Sequence, residues 1–265
     1  MGQYGKYGPL VKYGLALIAA FWAGGADAAC RLALLLALDV SGSVDEVEYT
    51  LQLGGVATAL EDPAVQSALF DLPESPVSLA VFEWSASSYQ REIVGWTTLT
   101  GPEALGAVTT RLRSWQRATA PEATGIGGAL NHAGDMLATA PFCWKQTIDI
   151  SGDGKNNDWP VPRDVRGSGQ LANATINALV IGQELLRGGD NRLIGVAELS
   201  AYFRANVIKG PDAFVEVALG FDDYANAMTR KLLRELSSPP LGWRDPRAPT
   251  RYAASDRTPE ANNNR

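Results

Sequence analysis

Positions 32 to 38 read Leu-Ala-Leu-Leu-Leu-Ala-Leu, an apolar run with no alternation. A run of that length without a polar face predicts a strand, Arg31 to Leu38, covered on both sides in a parallel sheet. The pattern then changes period. Asp45 to Leu60 reads as a helix, with Asp45, Glu46 and Glu48 in the first turn, where the helix dipole favours negative charge. Val77 to Ser85, introduced by Pro76, is a second strand, and Tyr89 to Thr97 alternates as a half-exposed strand does. The short polar link Ser85-Ala86-Ser87-Ser88 suggests a hairpin, which makes the third strand an antiparallel edge. Helical spacing of Leu105, Val108, Leu112 and Trp115 predicts a helix over Pro102 to Arg117. Further along, Gly127 to Ala138, Leu193 to Ala205 and Tyr224 to Leu236 read as helices, and Lys145 to Ser151, Ala174 to Ile181 and Ala213 to Leu219 as strands. This alternation predicts one α/β domain over 29–236: doubly wound, Rossmann-like, with a mostly parallel six-stranded sheet and one antiparallel edge strand.

Two stretches fall outside that pattern. Residues 1–28 carry Lys6 and Lys12, an apolar stretch from Tyr13 to Ala23, and Ala26-Asp27-Ala28, which is the layout of a signal peptide cut after Ala28. The apolar stretch is shorter than the roughly 20 residues a spanning helix needs, so no stable membrane anchor is expected once the leader is cleaved. Residues 237–265 are rich in proline, arginine and asparagine without apolar periodicity, and are expected to be a disordered tail.

The formal net charge of the 265 residues is -6, and losing Lys6, Lys12 and Asp27 with the leader keeps the balance acidic. An acidic chain is a poor tracker of phosphates, so no nucleic-acid partner is expected. Export to the periplasm or beyond also bears on Cys30 and Cys143, the two cysteines, because an oxidising compartment favours a disulfide. Cys30 precedes Asp39 by nine residues and Cys143 precedes Asp153 by ten. If the two strands between are parallel neighbours, both sulfurs fall at one end of the sheet; two buried, unpaired thiols are the alternative.

Asp39, Ser41 and Ser43 end the first apolar strand, Thr124 opens a loop before a helix, and Asp153 follows a later strand. In an open α/β sheet these places meet at one rim, beyond the carboxyl ends of the strands. Two carboxylates and three hydroxyls form an oxygen-only set, which suits a hard divalent cation such as Mg²⁺, with Mn²⁺ or Ca²⁺ as alternatives. Ser41 and Ser43 would coordinate directly, Asp39 through that shell or through water, and Thr124 and Asp153 would complete the ring.

Asp-Val-Ser-Gly-Ser at 39 to 43, Thr124 before Gly-Ile-Gly-Gly-Ala-Leu, and Ile-Ser-Gly-Asp-Gly at 150 to 154 together resemble the metal-ion-dependent adhesion site of von Willebrand factor type A domains. Phe82-Glu83-Trp84, Gln90-Arg91, Gly95-Trp96 and Ser151 to Asn157 look like a branch of that fold in exported bacterial proteins, labelled domain of unknown function 1194. The resemblance implies a sheet ordered 3-2-1-4-5-6 and a cation whose open position is filled by an acidic residue of a protein partner. Glu83, Trp84, Asn156 and Asn157 are expected near the rim that such a partner would touch. The lone histidine, His132, sits inside a predicted helix and supports no nucleophilic scheme, so no enzymatic activity is expected. Two alternatives stay open: a Mg²⁺-dependent phosphotransferase or phosphohydrolase using the same rim with Lys155, and a metal-free envelope scaffold.

Overall fold

Leucines at alternate positions of the first apolar run send their side chains to opposite faces of one sheet. Leu32, Leu34, Leu36 and Leu38 join one core cluster and Leu35 and Ala37 the other, and every residue from Cys30 to Asp39 is buried. Each such leucine contributes about 1.5–3 kcal/mol by leaving water, which drives this strand to the centre. The computed structural model describes residue 2, residues 30–182 and residues 190–237, with the backbone alone for 190–194. The expected leader lies outside these residues apart from residue 2, as does the expected tail apart from Ser237, which closes the last helix.

Six strands form the sheet: β1 (Cys30–Asp39), β2 (Val77–Trp84), β3 (Gln90–Leu99), β4 (Cys143–Gly152), β5 (Ala174–Ile181) and β6 (Val215–Ala218). Their order is β3-β2-β1-β4-β5-β6, all parallel except β3, which pairs antiparallel with β2. Among the described residues seven α-helices flank them: α1 (Glu46–Glu61), α2 (Pro63–Phe70), α3 (Pro102–Ser114), α4 (Ile126–Ala138), α5 (Pro162–Arg166), α6 (Asp190–Asn206) and α7 (Tyr224–Ser237). Residues of α1, α2, α3 and α7 pack on one face, and residues of α4, α5 and α6 on the other. None of the described helices is long and apolar enough to cross a membrane.

The architecture and strand order agree with the expectation, and the differences are local. Helix α2 was not expected, yet its start is written in Asp62-Pro63: the Asp62 carboxylate accepts from the amides of Ala64 and Val65, and proline takes the first helical position. Helix α3 stops three residues short of the expected Arg117 because Trp115 turns extended and gives its indole N–H to Glu83. Asp45, expected inside the first turn of α1, instead caps it, in a reciprocal box with Glu48. Ser43 is thereby left for another use.

Cys30 and Cys143 are register partners on β1 and β4 and are joined by a disulfide across a sequence separation of 113. Closing so long a loop restricts the unfolded chain, so Cys30→Ala with Cys143→Ala should cost about 2–4 kcal/mol. Urea melts of the double variant against the oxidised parent would measure it; equal midpoints would show that the crosslink adds nothing to stability.

Candidate metal centre

Three loops meet at the carboxyl ends of β1 and β4. The first follows Asp39, the last residue of β1, whose backbone carbonyl is held by the Gln52 side-chain amide at 2.9 Å. Val40 N donates to Trp84 O at 2.8 Å, and Val44 N closes a turn onto Ser41 O at 3.0 Å. This turn runs against the second loop, where Gly42 N donates to Glu122 O at 3.0 Å. A Cβ at Gly42 would stand 2.9 Å from Glu122 Cβ, so the two backbones approach that closely only because position 42 has no side chain. The second loop is latched to the third by a reciprocal pair: Thr124 N donates to Asn157 Oδ1 at 2.8 Å, and Asn157 N to Thr124 O at 3.0 Å.

The five oxygen-bearing residues expected to share a site are brought together by these latches. Thr124 Oγ1 donates to Ser41 Oγ at 3.3 Å, Ser41 Oγ lies 3.3 Å from Ser43 Oγ, and Ser43 Oγ donates to Asp153 Oδ1 at 2.5 Å. Asp39 Oδ1 accepts from the Ser41 amide at 2.8 Å. Asp39, Ser41, Thr124 and Asp153 are buried, whereas Ser43 is exposed, so the ring faces solvent on the Ser43 side.

Electrostatically this is an uncompensated place. Asp39 is 0% exposed, its Oδ2 has no hydrogen-bond partner, and no cationic side chain lies within ion-pair distance of it among the described residues. A Cβ at Gly152 would meet Asp39 Oδ2 at 3.2 Å, Phe203 Cζ at 3.4 Å and Trp84 Cζ2 at 3.8 Å, so the absence of a side chain at 152 leaves room for the carboxylate beside that backbone. Burial, and then the neighbouring Asp153 charge, push the Asp39 carboxyl up to about 7, against hydrogen bonding from Ser41 and from the Asp153 backbone that favours its ionised form. The described residues hold no cluster of three His, Cys, Asp or Glu side chains. Any cation here would rest on the hydroxyls as much as on the carboxylates, a donor set that hard divalent ions accept.

The family described as "Protein of unknown function (DUF1194)" matches residues 29–240. The chain belongs to that family. No curated protein sequence matches this DUF1194 chain. Among solved structures it is similar to proximal thread matrix protein 1 from the mussel byssus, at 15% identity and a TM-score of 0.53, over 81% of this chain and 49% of that one. The same mussel protein with a zinc-occupied MIDAS motif, the metal-ion-dependent adhesion site, gives 14% identity and 0.53 over 79% and 47%. A von Willebrand factor type A protein from Catenulispora acidiphila gives 17% identity and 0.51 over 78% and 43%. Likeness at these identities shows a von Willebrand factor A-like fold. The DUF1194 chain spans less than half the length of each of these proteins.

Two residues expected at a partner-facing rim are buried. Trp84 is 0% exposed, on β2 in register with Asp39. Glu83, 1% exposed, points to the opposite face of the sheet. There it accepts from Tyr49 Oη at 2.7 Å, Tyr89 Oη at 3.0 Å, Arg91 at 3.0 Å and Trp115 Nε1 at 3.0 Å. The correction follows from the strand itself: neighbouring residues of β2 alternate between two covered faces, so neither can reach solvent. Asn156 and Asn157 do stand beside the site, with their amides engaged in holding loops. Asn157 clasps Thr124, and Asn156 accepts from Gly127 N at 3.3 Å and donates to Asp158 O at 2.5 Å. His132 packs edge-on against Phe82 at 4.9 Å and takes no part in the site.

Proposed function

We propose that this DUF1194 protein holds one divalent cation, Mg²⁺ or alternatively Mn²⁺ or Ca²⁺, at Asp39, Ser41, Ser43, Thr124 and Asp153. In this reading the cation leaves a coordination position for an acidic residue of a protein partner. The observation that carries this is Asp39: a fully buried carboxylate with an orphan oxygen and, among the described residues, no cationic side chain in ion-pair distance, set beside a second carboxylate and three hydroxyls. Leaving a buried charge unpaired costs several kcal/mol, and a bound cation offsets that cost where no lysine or arginine does. The ion would supply the positive charge that draws a partner carboxylate. The chain's own residues hold the hydroxyls together and keep Asp39 buried.

The exposed flank at Ser43 is the side from which a partner could approach. Export of the protein, with residues 1–28 removed, belongs to the same proposal and accords with the disulfide. The phosphotransferase alternative finds less support, because the Asp39 carboxylate at that rim is fully buried while Lys155 is exposed.

Calorimetric titration of the metal-stripped protein with Mn²⁺ and Mg²⁺ tests the reading. Binding at one site is expected, weakened at least about tenfold by Asp153→Ala and by Ser41→Ala, since each removes a charged or hydroxyl donor. Wild-type protein that takes up neither ion would end it.

A further inference from the structure

The chain carries a formal net charge of -6, yet four cationic side chains gather in one cleft. Arg163 and Arg166 come from α5, Arg204 from the last turn of α6, and Lys209 from the segment that bridges to Ile176 of β5. With Gly167, Ile208, Gly210 and Ala213 they line a cavity of about 490 Å³. No aspartate or glutamate lines it. Among the described residues none of the four cations stands in an ion pair, whereas Arg91, Arg113, Arg117, Arg230 and Lys231 each do.

Three of the four are held in place by neutral partners. Arg166 donates to Ile208 O at 2.6 Å and Ala205 O at 2.9 Å, Arg163 to Asn206 Oδ1 at 2.9 Å, and Lys209 to Leu171 O at 2.5 Å and Ala172 O at 3.1 Å. Bonds of this kind orient the cationic heads without neutralising them. Capping the carboxyl end of α6 explains Arg166, because cations are favoured there. It does not explain why Arg163, Arg204 and Lys209 converge on the same space, where like charges repel. Burial lowers the Lys209 pKa, and no carboxylate opposes the shift.

We infer that this cleft binds a polyvalent oxyanion of the phosphate-ester class. Guanidinium forks match the oxygens of a phosphoryl group, and three of them with one ammonium supply the charge a dianion requires. Gly167, Gly210 and Ala213 in the lining add no opposing charge. The cleft is separate from the candidate metal centre: Ile176, to which Lys209 bridges, lies near the amino end of β5, while Asp153 follows the carboxyl end of β4. The inference therefore does not depend on a cation at Asp39. Phosphorylated small molecules and phospholipid headgroups share this chemistry.

The test titrates the full chain with pyrophosphate by calorimetry in excess chelator, so that no metal can recruit the anion. One-site binding is expected, and it should weaken as salt rises from about 50 to about 300 mM because screening shortens the reach of the cleft's charge. Arg163→Ala with Arg204→Ala should reduce the affinity about tenfold or more through loss of charge-assisted bonds. Both side chains are exposed, so the variant should melt as the parent does; Lys209→Ala provides a second variant. Co-sedimentation with phosphatidylglycerol vesicles, but not with phosphatidylcholine vesicles, would point to a headgroup. Pyrophosphate binding without sedimentation would point to a soluble ester. Absence of both, or binding undiminished in both variants, overturns the inference.

Discussion

In metal-free protein at pH 8, Asp39→Asn is expected to raise the melting temperature and to abolish any response to Mg²⁺ or chelator. The parent's Asp39 carboxyl stands at about 7 rather than 3.8, owing to burial and then to Asp153. A folded-state value above the unfolded one means that the native state holds its proton more tightly. The contribution of Asp39 to stability is therefore most favourable below about pH 4 and declines as pH rises through about 7, beyond which the penalty is complete. A shift of that size corresponds to about 4 kcal/mol at most. The amide removes the charge while keeping nearly the same shape, so the metal-free variant should recover part of that penalty, about 2–4 °C for each kcal/mol in a domain of this size.

Cation binding draws on the same linkage. The parent should gain stability from Mg²⁺ at pH 8 and much less at pH 5, where the proton competes for Asp39. Thermal melts at the two pH values, with Mg²⁺ and with chelator, would show it. If the parent ignores Mg²⁺ at both pH values while Asp39→Asn melts lower, the carboxylate is a structural hydrogen-bond acceptor and the metal reading falls.

Much of this molecule was legible before any coordinates, and the reason differs from part to part. β1 could be read because an apolar run without alternation has few destinations besides the centre of a parallel sheet. Asp39, Ser41, Ser43, Thr124 and Asp153 could be grouped because each ends or opens an element, and the winding of an open α/β sheet delivers such positions to one rim. Glu83 misled because its position near a strand end suggested exposure. What settles it underneath are Tyr49, Tyr89, Arg91 and Trp115, drawn from separate elements whose convergence no local pattern announces. The basic cleft is the same case: Arg163 and Arg204 are far apart in the chain, and only the packing of α5 beside α6 brings them together. Helix α2 is different, since Asp62-Pro63 is a start signal that a stricter reading of caps would have used.

Lys231→Met should cost about 3–5 kcal/mol at pH 8, the range found when one partner is removed from a buried ion pair. Lys231 Nζ lies 2.9 Å from Asp149 Oδ1 and 2.6 Å from Glu235 Oε1, and all three side chains are buried. Asn177 Nδ2 adds a bond to the same Glu235 oxygen at 2.7 Å, while Glu235 Oε2 has no hydrogen-bond partner. Two carboxylates thus share one ammonium between β4 and α7. Burial raises the Asp149 carboxyl to about 7, with Lys231 acting against the rise and Glu235 adding to it. Without Lys231 the opposing influence disappears and the Asp149 value moves further up. The variant's deficit should therefore be smallest at low pH, where Asp149 carries its proton, and should grow as pH rises through 7 and above. Urea melts at pH 5 and pH 8 measure that slope. Adding Asp149→Asn and Glu235→Gln to Lys231→Met should recover most of the loss, because an uncharged core of similar volume has no buried charge left to compensate. A deficit that is flat with pH and persists in the triple variant would mean that Lys231 contributes through packing, by its contact with the Phe214 ring 5.0 Å away, rather than as the counter-charge of α7 and β4.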